Sequence, residues 1–314
     1  MRTLLRVDST VRRVHALLPP GLAALAMGVA AVRDARANDT GAAVSADLAS
    51  RGSVHVAARF GAKPAAASVL SATTHRVRSN FRVTEGALHP PVDGAACPSE
   101  MANVDNRFCV DRWEASLVEV LPDGAEQDWP PYGPLEAGHR LRAVSRSHVI
   151  PQAYISGAQA AEVCASAGKR LCAPVEWRKA CRGPQDQKFG YGNERVAGRC
   201  NDRGQSPMLR LYPQVARSWK LVGLVEMNDP RLNQLEGTLS PTGDHDECTN
   251  GYGVYDMVGN LHEWTSDPNG TFQGGYYLDT HLNGDGCSYR TVAHEFTYHD
   301  YSTGFRCCAD PVEP

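Results

Sequence analysis

The chain predicts a disulfide-stapled domain of mixed helices and short strands, and three observations carry that reading. Ten cysteines are spread through 314 residues, none in a C-x-x-C pair, which speaks against a zinc ribbon or a thioredoxin-like redox motif. An even, widely spaced set suits disulfides, which persist in oxidising compartments; the alternative is ten reduced thiols buried as small hydrophobes. One pair of helices is written between Ser156 and Cys181. The second half otherwise crowds glycine, aromatic and β-branched residues into turn and strand patterns.

Charge excludes some partners. The 32 basic and 35 acidic residues nearly cancel, leaving −3, so there is no footprint for nucleic acid or for an anionic membrane. The N-terminus suggests a compartment. Arg2, Arg6, Arg12 and Arg13 precede an apolar run from Ala16 to Val32, and Ala35-Arg36-Ala37 follows. This order is that of a secretory signal peptide over 1–37, although Arg33 and Asp34 interrupt it just before the proposed cut. The run is short for a bilayer span of ~20 residues, so an uncleaved anchor is the alternative, and no stable membrane insertion is expected after cleavage. Residues 38–95, rich in alanine, serine and arginine, read as a disordered linker. His75 to Arg82 is basic, but within a polar tether such a run is usually solvated. The folded domain is expected over 96–314.

Within that domain, Cys97 and Cys109 bracket a polar loop, and Phe108-Cys109-Val110 reads as a strand. Asp111, Arg112 and Glu114 around Trp113 suggest either a buried ionic group or an edge strand with alternating charges. Pro122 to Pro134 reads as a loop. Ser156 with Gln159 three residues on forms a capping box. Ala160, Val163, Cys164 and Ala167 then make one apolar stripe, and Gly168 stops the helix. Pro174 suits the first position of a second helix, with Trp177, Ala180 and Cys181 on its inner face. Cys164 and Cys181 therefore both point inward. Residues 205–247 show little periodicity and several prolines, and read as an insertion that a Cys200–Cys248 bond would close at its base. CSYRTVAH and STGFRCCAD read as strands. Cys307 and Cys308 would face opposite sides of the second one, so each needs its own partner.

The densest stretch is Asn250 to Asp267, NGYGVYDMVGNLHEWTSD. Gly251, Gly253 and Gly259 mark turns, and Asp256 and Glu263 flank the turn at Gly259-Asn260. Two carboxylates with carbonyls around a glycine turn are what a hard cation such as Ca²⁺ takes. The alternative is a buried turn whose carboxylates cap nearby N–H groups.

Read together, FCVDRWEAS, AAEVCASAGKRLCAPVEWRKACRG, YGN, CND, NGYGVYDMVGNLHEWTSD, GGYYL, CSYR and GFRC resemble the formylglycine-generating enzymes, or sulfatase-modifying factors. The segments fall in family order over about Cys97 to Asp310. The resemblance implies an α+β fold related to C-type lectins, with little regular secondary structure. It implies structural Ca²⁺ at the Asp256 and Glu263 side chains and at the Gly259 and Leu261 carbonyls. It also implies Cys164–Cys307 and Cys181–Cys287 disulfides. Proximity and elimination then leave Cys97–Cys109, Cys200–Cys248 and Cys172–Cys308.

The resemblance fails where its chemistry should be. Enzymes of this family oxidise a sulfatase cysteine with O₂ and Cu(I) held by two thiolates, ligands soft enough for that ion. The matching positions here are Asp279 and Gly284, and Cys287, with Arg290 three residues on, aligns with a structural disulfide. No copper is expected. The leading expectation is thus an exported, non-catalytic member that recognises an extended peptide or another ligand in the family cleft. The alternative is an active oxidoreductase, either of the formylglycine-generating type or a metal-dependent oxidase using His281, His294 and His299.

Overall fold

The computed structural model describes residues 86–292 and 294–312. The expected signal peptide, and the linker as far as residue 85, lie outside the described residues. From residue 86 the chain already touches the body. Leu88 packs against buried apolar residues, the Val92 N–H donates to the Asn106 carbonyl, and Arg107 Nη1 donates to the His89 carbonyl.

Three small sheets and two helices make the frame. Strands β1 (Met101–Val104), β2 (Phe108–Asp111), β3 (Ala115–Val120), β4 (Glu126–Asp128) and β5 (Leu141–Ser145) come first. Helix α1 (Gly157–Ser166), strand β6 (Arg170–Leu171) and helix α2 (Pro174–Arg182) follow. Near the C-terminus lie β7 (His262–Trp264), β8 (Phe272–Gln273), β9 (Arg290–Thr291), β10 (Thr303–Phe305) and β11 (Cys307–Ala309). The sheet orders are β1-β2-β11-β6, β10-β7-β8-β9 and β4-β3-β5. The first two therefore join distant parts of the chain, with Cys308 opposite Val110 and Thr303 beside His262.

Both helices begin as their sequences direct. Ser156 accepts the Gln159 N–H through its hydroxyl, and Gln159 accepts the Ser156 N–H in return. Gly168 follows the last turn of α1 at φ +70°, a conformation glycine enters without steric cost. Pro174 opens α2, and Trp177, Ala180 and Cys181 are buried on its inner face.

Some expectations are corrected. The loop expected over 122–134 contains β4, because Glu126–Asp128 pairs with Val118–Val120 of β3. Among its described residues CSYRTVAH is mostly not strand: Gly286–Ser288 form a 3₁₀ turn and only Arg290–Thr291 extends. STGFRCCAD splits into β10 and β11 around Arg306. The strand propensity of these segments yields to the buried contacts that pull them apart. Arg112 also leaves the expected ionic group, turning to the Ser99 and Gly253 carbonyls. Residues 205–247 form helices α3 (Pro207–Leu211) and α4 (Leu224–Met227) with 3₁₀ turns. This insertion is bound to the body by Tyr154 Oη donating to the Asp229 carbonyl and Tyr277 Oη donating to Asn233 Oδ1.

The ten cysteines make five bonds: Cys97–Cys109, Cys164–Cys307, Cys172–Cys308, Cys181–Cys287 and Cys200–Cys248. Three of them span 106, 136 and 143 residues, so they tie the helix pair to the C-terminal strands. Cross-links of such reach constrain the unfolded chain most. Replacing Cys172 and Cys308 together by serine should lower the unfolding free energy by about 2–5 kcal/mol. Denaturant unfolding without reductant reads this directly, and an unchanged midpoint would contradict a stabilising role.

Candidate functional site

The centre of the site is a buried ionic group beside the turn at Gly259. Arg306, fully buried between β10 and β11, donates from Nε to Glu263 Oε2 at 2.7 Å and from Nη2 to Glu263 Oε1 at 2.6 Å. Trp177 Nε1 adds a third donor to Glu263 Oε2, at 2.6 Å. The guanidinium also reaches the carbonyls of Asp111, Arg112 and Tyr255. One arginine thus holds β2, β7 and the stretch before Asp256 in a fixed relation.

Two more carboxylates share this interior. Glu114 accepts the Leu261 N–H at 3.1 Å and Asn260 Nδ2 at 2.5 Å. Asp256, at φ 57°, accepts the Gly243 N–H at 2.7 Å. Burial, reinforced by the charges of Asp256 and Glu263, pushes the Glu114 carboxyl well above its usual range. Burial likewise pushes Asp256 up to about 7, with Glu263 and Asp244 adding to it. Three buried carboxylates therefore face one buried guanidinium, a surplus of negative charge that favours a proton or a cation.

This bears on the residues expected to hold Ca²⁺. Asp256 and Glu263 are brought into one group, and Gly259 and Leu261 lie on the turn between them. Gly259 is at φ +86°, and a Cβ there would stand 2.3 Å from the Asn201 carbonyl oxygen, so the turn has no room for a side chain. Asp256 and the carboxylate surplus fit a hard, oxygen-seeking ion. Glu263 does not fit as well, because Arg306 and Trp177 already occupy its two oxygens. The capping role weighed for these carboxylates is present too, at Gly243.

Asp279 and Gly284, which the sequence resemblance sets against the family's thiols, lie next along the chain. Asp279 is a structural acceptor: Oδ1 takes the N–H groups of His281 and Leu282, both at 3.0 Å, and Oδ2 takes the Tyr289 hydroxyl at 2.9 Å. Gly284 sits at φ +111°, and a Cβ there would lie 2.5 Å from the Ser288 carbonyl oxygen. Asn283 and Ser288, with Arg178 and Arg290, line an open pocket of about 380 Å³.

The structure does not gather the three histidines expected for a replacement metal. His281 lies 3.3 Å from Asp279 Oδ1 and is largely exposed. His294 stacks between Phe272 and Tyr298, and His299 Nδ1 pairs with Asn228 Oδ1 at 2.8 Å. Each faces a different neighbour, and among the described residues no three His, Cys, Asp or Glu side chains are grouped to hold a metal.

Two residues at the centre were not singled out in the sequence. Asn260 Oδ1 accepts Asn201 Nδ2 and the Ser240 N–H while its Nδ2 serves Glu114, joining the base of the insertion to β7. His262 is packed among Phe272, Tyr276 and Tyr289, with ring centroids 4.6, 4.7 and 5.4 Å away. Its Nδ1 has no partner among the described residues, and burial lowers its pKa to about 3. Neither had a sequence signal beyond lying in the glycine-rich stretch.

The sign of the His262 contribution follows from proton linkage. As pH falls below 6.5 the unfolded chain binds a proton that the folded imidazole refuses until about pH 3, so stability drops through that window. His262→Phe removes this titration. Its unfolding free energy should gain on the wild type by up to roughly 3 kcal/mol between pH 6.5 and 4, with a constant difference above pH 7. Urea unfolding at a series of pH values measures it; a difference that stays flat below 6.5 would refute a buried neutral imidazole.

Comparison with known proteins places this geometry in context. Residues 100–311 match the family described as the Sulfatase-modifying factor enzyme 1-like domain. The chain is 33% identical over 118 residues to a formylglycine-generating enzyme of Mus musculus, covering 37% of this chain and 27% of that one. It is 29% identical over 195 residues to a formylglycine-generating enzyme of Thermomonospora curvata, covering 52% and 56%. It is 30% identical over 118 residues to the inactive C-alpha-formylglycine-generating enzyme 2 of Mus musculus, covering 37% and 32%. The chain thus spans from about a quarter to just over half the length of these relatives. Among solved structures, CarF aligns over 70% of this chain and 96% of its own, at 15% identity and a TM-score of 0.38.

Proposed function

Because the chain belongs to the sulfatase-modifying factor enzyme 1-like family, we propose that it is an exported member that has given up copper oxidation for recognition of an extended peptide or another ligand. The observation that carries this reading is the fate of the sulfurs. All ten cysteines are in disulfides, so no thiolate is left to hold Cu(I) in the way the family's chemistry requires. Disulfides of this number suit an oxidising compartment, and no helix among the described residues is long and apolar enough to cross a membrane. One relative bears the name of an inactive enzyme, which makes loss of activity within the family a precedent.

The loop is rebuilt as well as stripped of thiols. Asp279 organises the turn that follows it, and Gly284 holds a backbone conformation that a cysteine would adopt only under strain. The pocket at Asn283, Ser288, Arg178 and Arg290 remains open. A Cys-x-Pro-x-Arg peptide incubated with the protein, Cu and O₂ should yield no aldehyde by mass spectrometry. The Asp279→Cys/Gly284→Cys variant should also fail, since the 279–284 backbone is shaped around the present residues. Conversion by the wild-type protein would overturn the reading, and conversion by the double variant would show that only the side chains had been lost.

Structural Ca²⁺ belongs to the same proposal. Asp256 would be its charged ligand, with the Gly259 and Leu261 carbonyls beside it, and Glu263 would join only by releasing a bond to Arg306. The ion would neutralise part of the carboxylate surplus and stiffen the turn. Metal analysis after dialysis should find calcium near one per chain and no stoichiometric copper, and Asp256→Asn should abolish the calcium. A calcium-free wild type, or an Asp256→Asn variant that retains the ion, would remove this part of the proposal.

A further inference from the structure

Nine large apolar side chains are exposed among the described residues, and five of them, Leu209, Trp219, Leu221, Leu224 and Val225, fall within seventeen positions of the insertion. Single exposed apolar residues are ordinary, but a concentration of this kind marks an interaction surface. The ridge has a firm base. Met208 and Val215 are buried in the core on one side of it, and the Met227 carbonyl accepts the Tyr301 N–H on the other. Between these anchors Trp219 and Leu221 sit on a 3₁₀ turn and Leu224 and Val225 open α4, so the exposed side chains are presented by ordered backbone.

The balance of charge over the whole chain gives no footprint for an anionic membrane, but this stretch departs from that balance, and its local charge identifies the kind of partner. From Gln205 to Val225 there is no Asp or Glu, whereas Arg210, Arg217 and Lys220 are all cationic. Arg210 is engaged with the Glu236 carbonyl, while Arg217 and Lys220 are exposed beside Trp219. The first carboxylate, Glu226, turns back to accept the Gly223 N–H at 2.8 Å. A rigid protein interface collects apolar groups at its centre and keeps charge to the rim. Here Arg217 and Lys220 flank Trp219 without any carboxylate between them, and Val225 stands 85% exposed. That pattern suits a fluid partner. An indole settles at the headgroup level, aliphatic side chains enter the acyl boundary, and Lys and Arg stems bend toward phosphate.

We propose that the 217–225 ridge adsorbs this protein to an anionic lipid surface, peripherally and without insertion of a helix. Hydrogen exchange of the full chain should show slowed exchange at residues 217–226 on adding phosphatidylcholine–phosphatidylglycerol vesicles at low salt. Pure phosphatidylcholine should protect less, and high salt should weaken the effect through screening. Replacing Trp219, Leu221, Leu224 and Val225 by serine should reduce this protection and the vesicle-bound fraction at least about tenfold. The apolar N-terminal stretch is the same in both proteins, and an unchanged non-reducing mass confirms that the variant keeps its disulfides. Unchanged exchange at 217–226 would overturn the proposal. So would protection that grows with protein concentration alone, which would mark a second copy as the occupant, or protection by an acidic peptide but not by vesicles.

Discussion

The Arg306–Glu263 pair is the constraint on which the rest of the domain depends. Taking a guanidinium and a carboxylate out of water costs several kcal/mol each, and here both are essentially inaccessible to solvent. The arrangement is tolerable because the two groups meet in a two-point contact and the remaining guanidinium donors reach carbonyls of Asp111, Arg112 and Tyr255. Those carbonyls belong to segments far apart in sequence. The pair therefore works as an assembly condition: β2, β7 and the last strands must all be in place before either charge is satisfied. The long disulfides impose a matching condition, since Cys307 and Cys308, flanking Arg306, are tied to Cys164 and Cys172. Stapling the residues on its C-terminal side fixes where that arginine can be.

Glu114 and Asp256 set a second condition. Each is hydrogen-bonded, yet together with Glu263 they leave the interior short of positive charge. Burial responds by raising the Glu114 and Asp256 carboxyls, and a bound cation would relieve the same strain by other means. The Asn260 amide mediates between these alternatives. It gives its N–H to Glu114 and takes donors from Asn201 and Ser240, so a change in carboxylate protonation would be felt at the base of the insertion.

Much of the frame was legible in the sequence because its causes are local. The Ser156–Gln159 cap, Pro174 at the start of α2 and the apolar stripe through Cys164 each act within a few residues. The inward faces of the two helices also indicated that their cysteines needed distant partners. What could not be read is non-local. Glu126–Asp128 has the composition of a loop and becomes a strand only because β3 offers it a ladder. His262 lies in a three-residue strand buried on every side, where neither a helical nor an alternating period exists to reveal it. The three C-terminal histidines are close in sequence but keep different neighbours: Phe272 and Tyr298 stack on His294, Asn228 binds His299, and His281 lies beside Asp279. For the same reason Asp279 looked like a failed ligand and is in fact the acceptor that shapes its own turn.

On the reading proposed above, the division between frame and loop would let the family's chemistry disappear without loss of the fold. None of the donors to Glu263, and none of the five disulfides, involves residues 279–284. That segment is anchored at its edges, by the Gly286 N–H to Thr280 and the Arg290 N–H to Asn283, and its interior is organised by Asp279. A single cysteine sulfur at this position could not replace both carboxylate oxygens, one of which takes the His281 and Leu282 N–H groups and the other the Tyr289 hydroxyl. On that reading, a carboxylate at Asp279 in place of a thiol would exchange metal affinity for a self-contained turn, and Gly284 holds a backbone conformation that glycine enters without steric cost. Each change favours the other. With both present, the loop is held by its own hydrogen bonds, and the frame around it would have no reason to change.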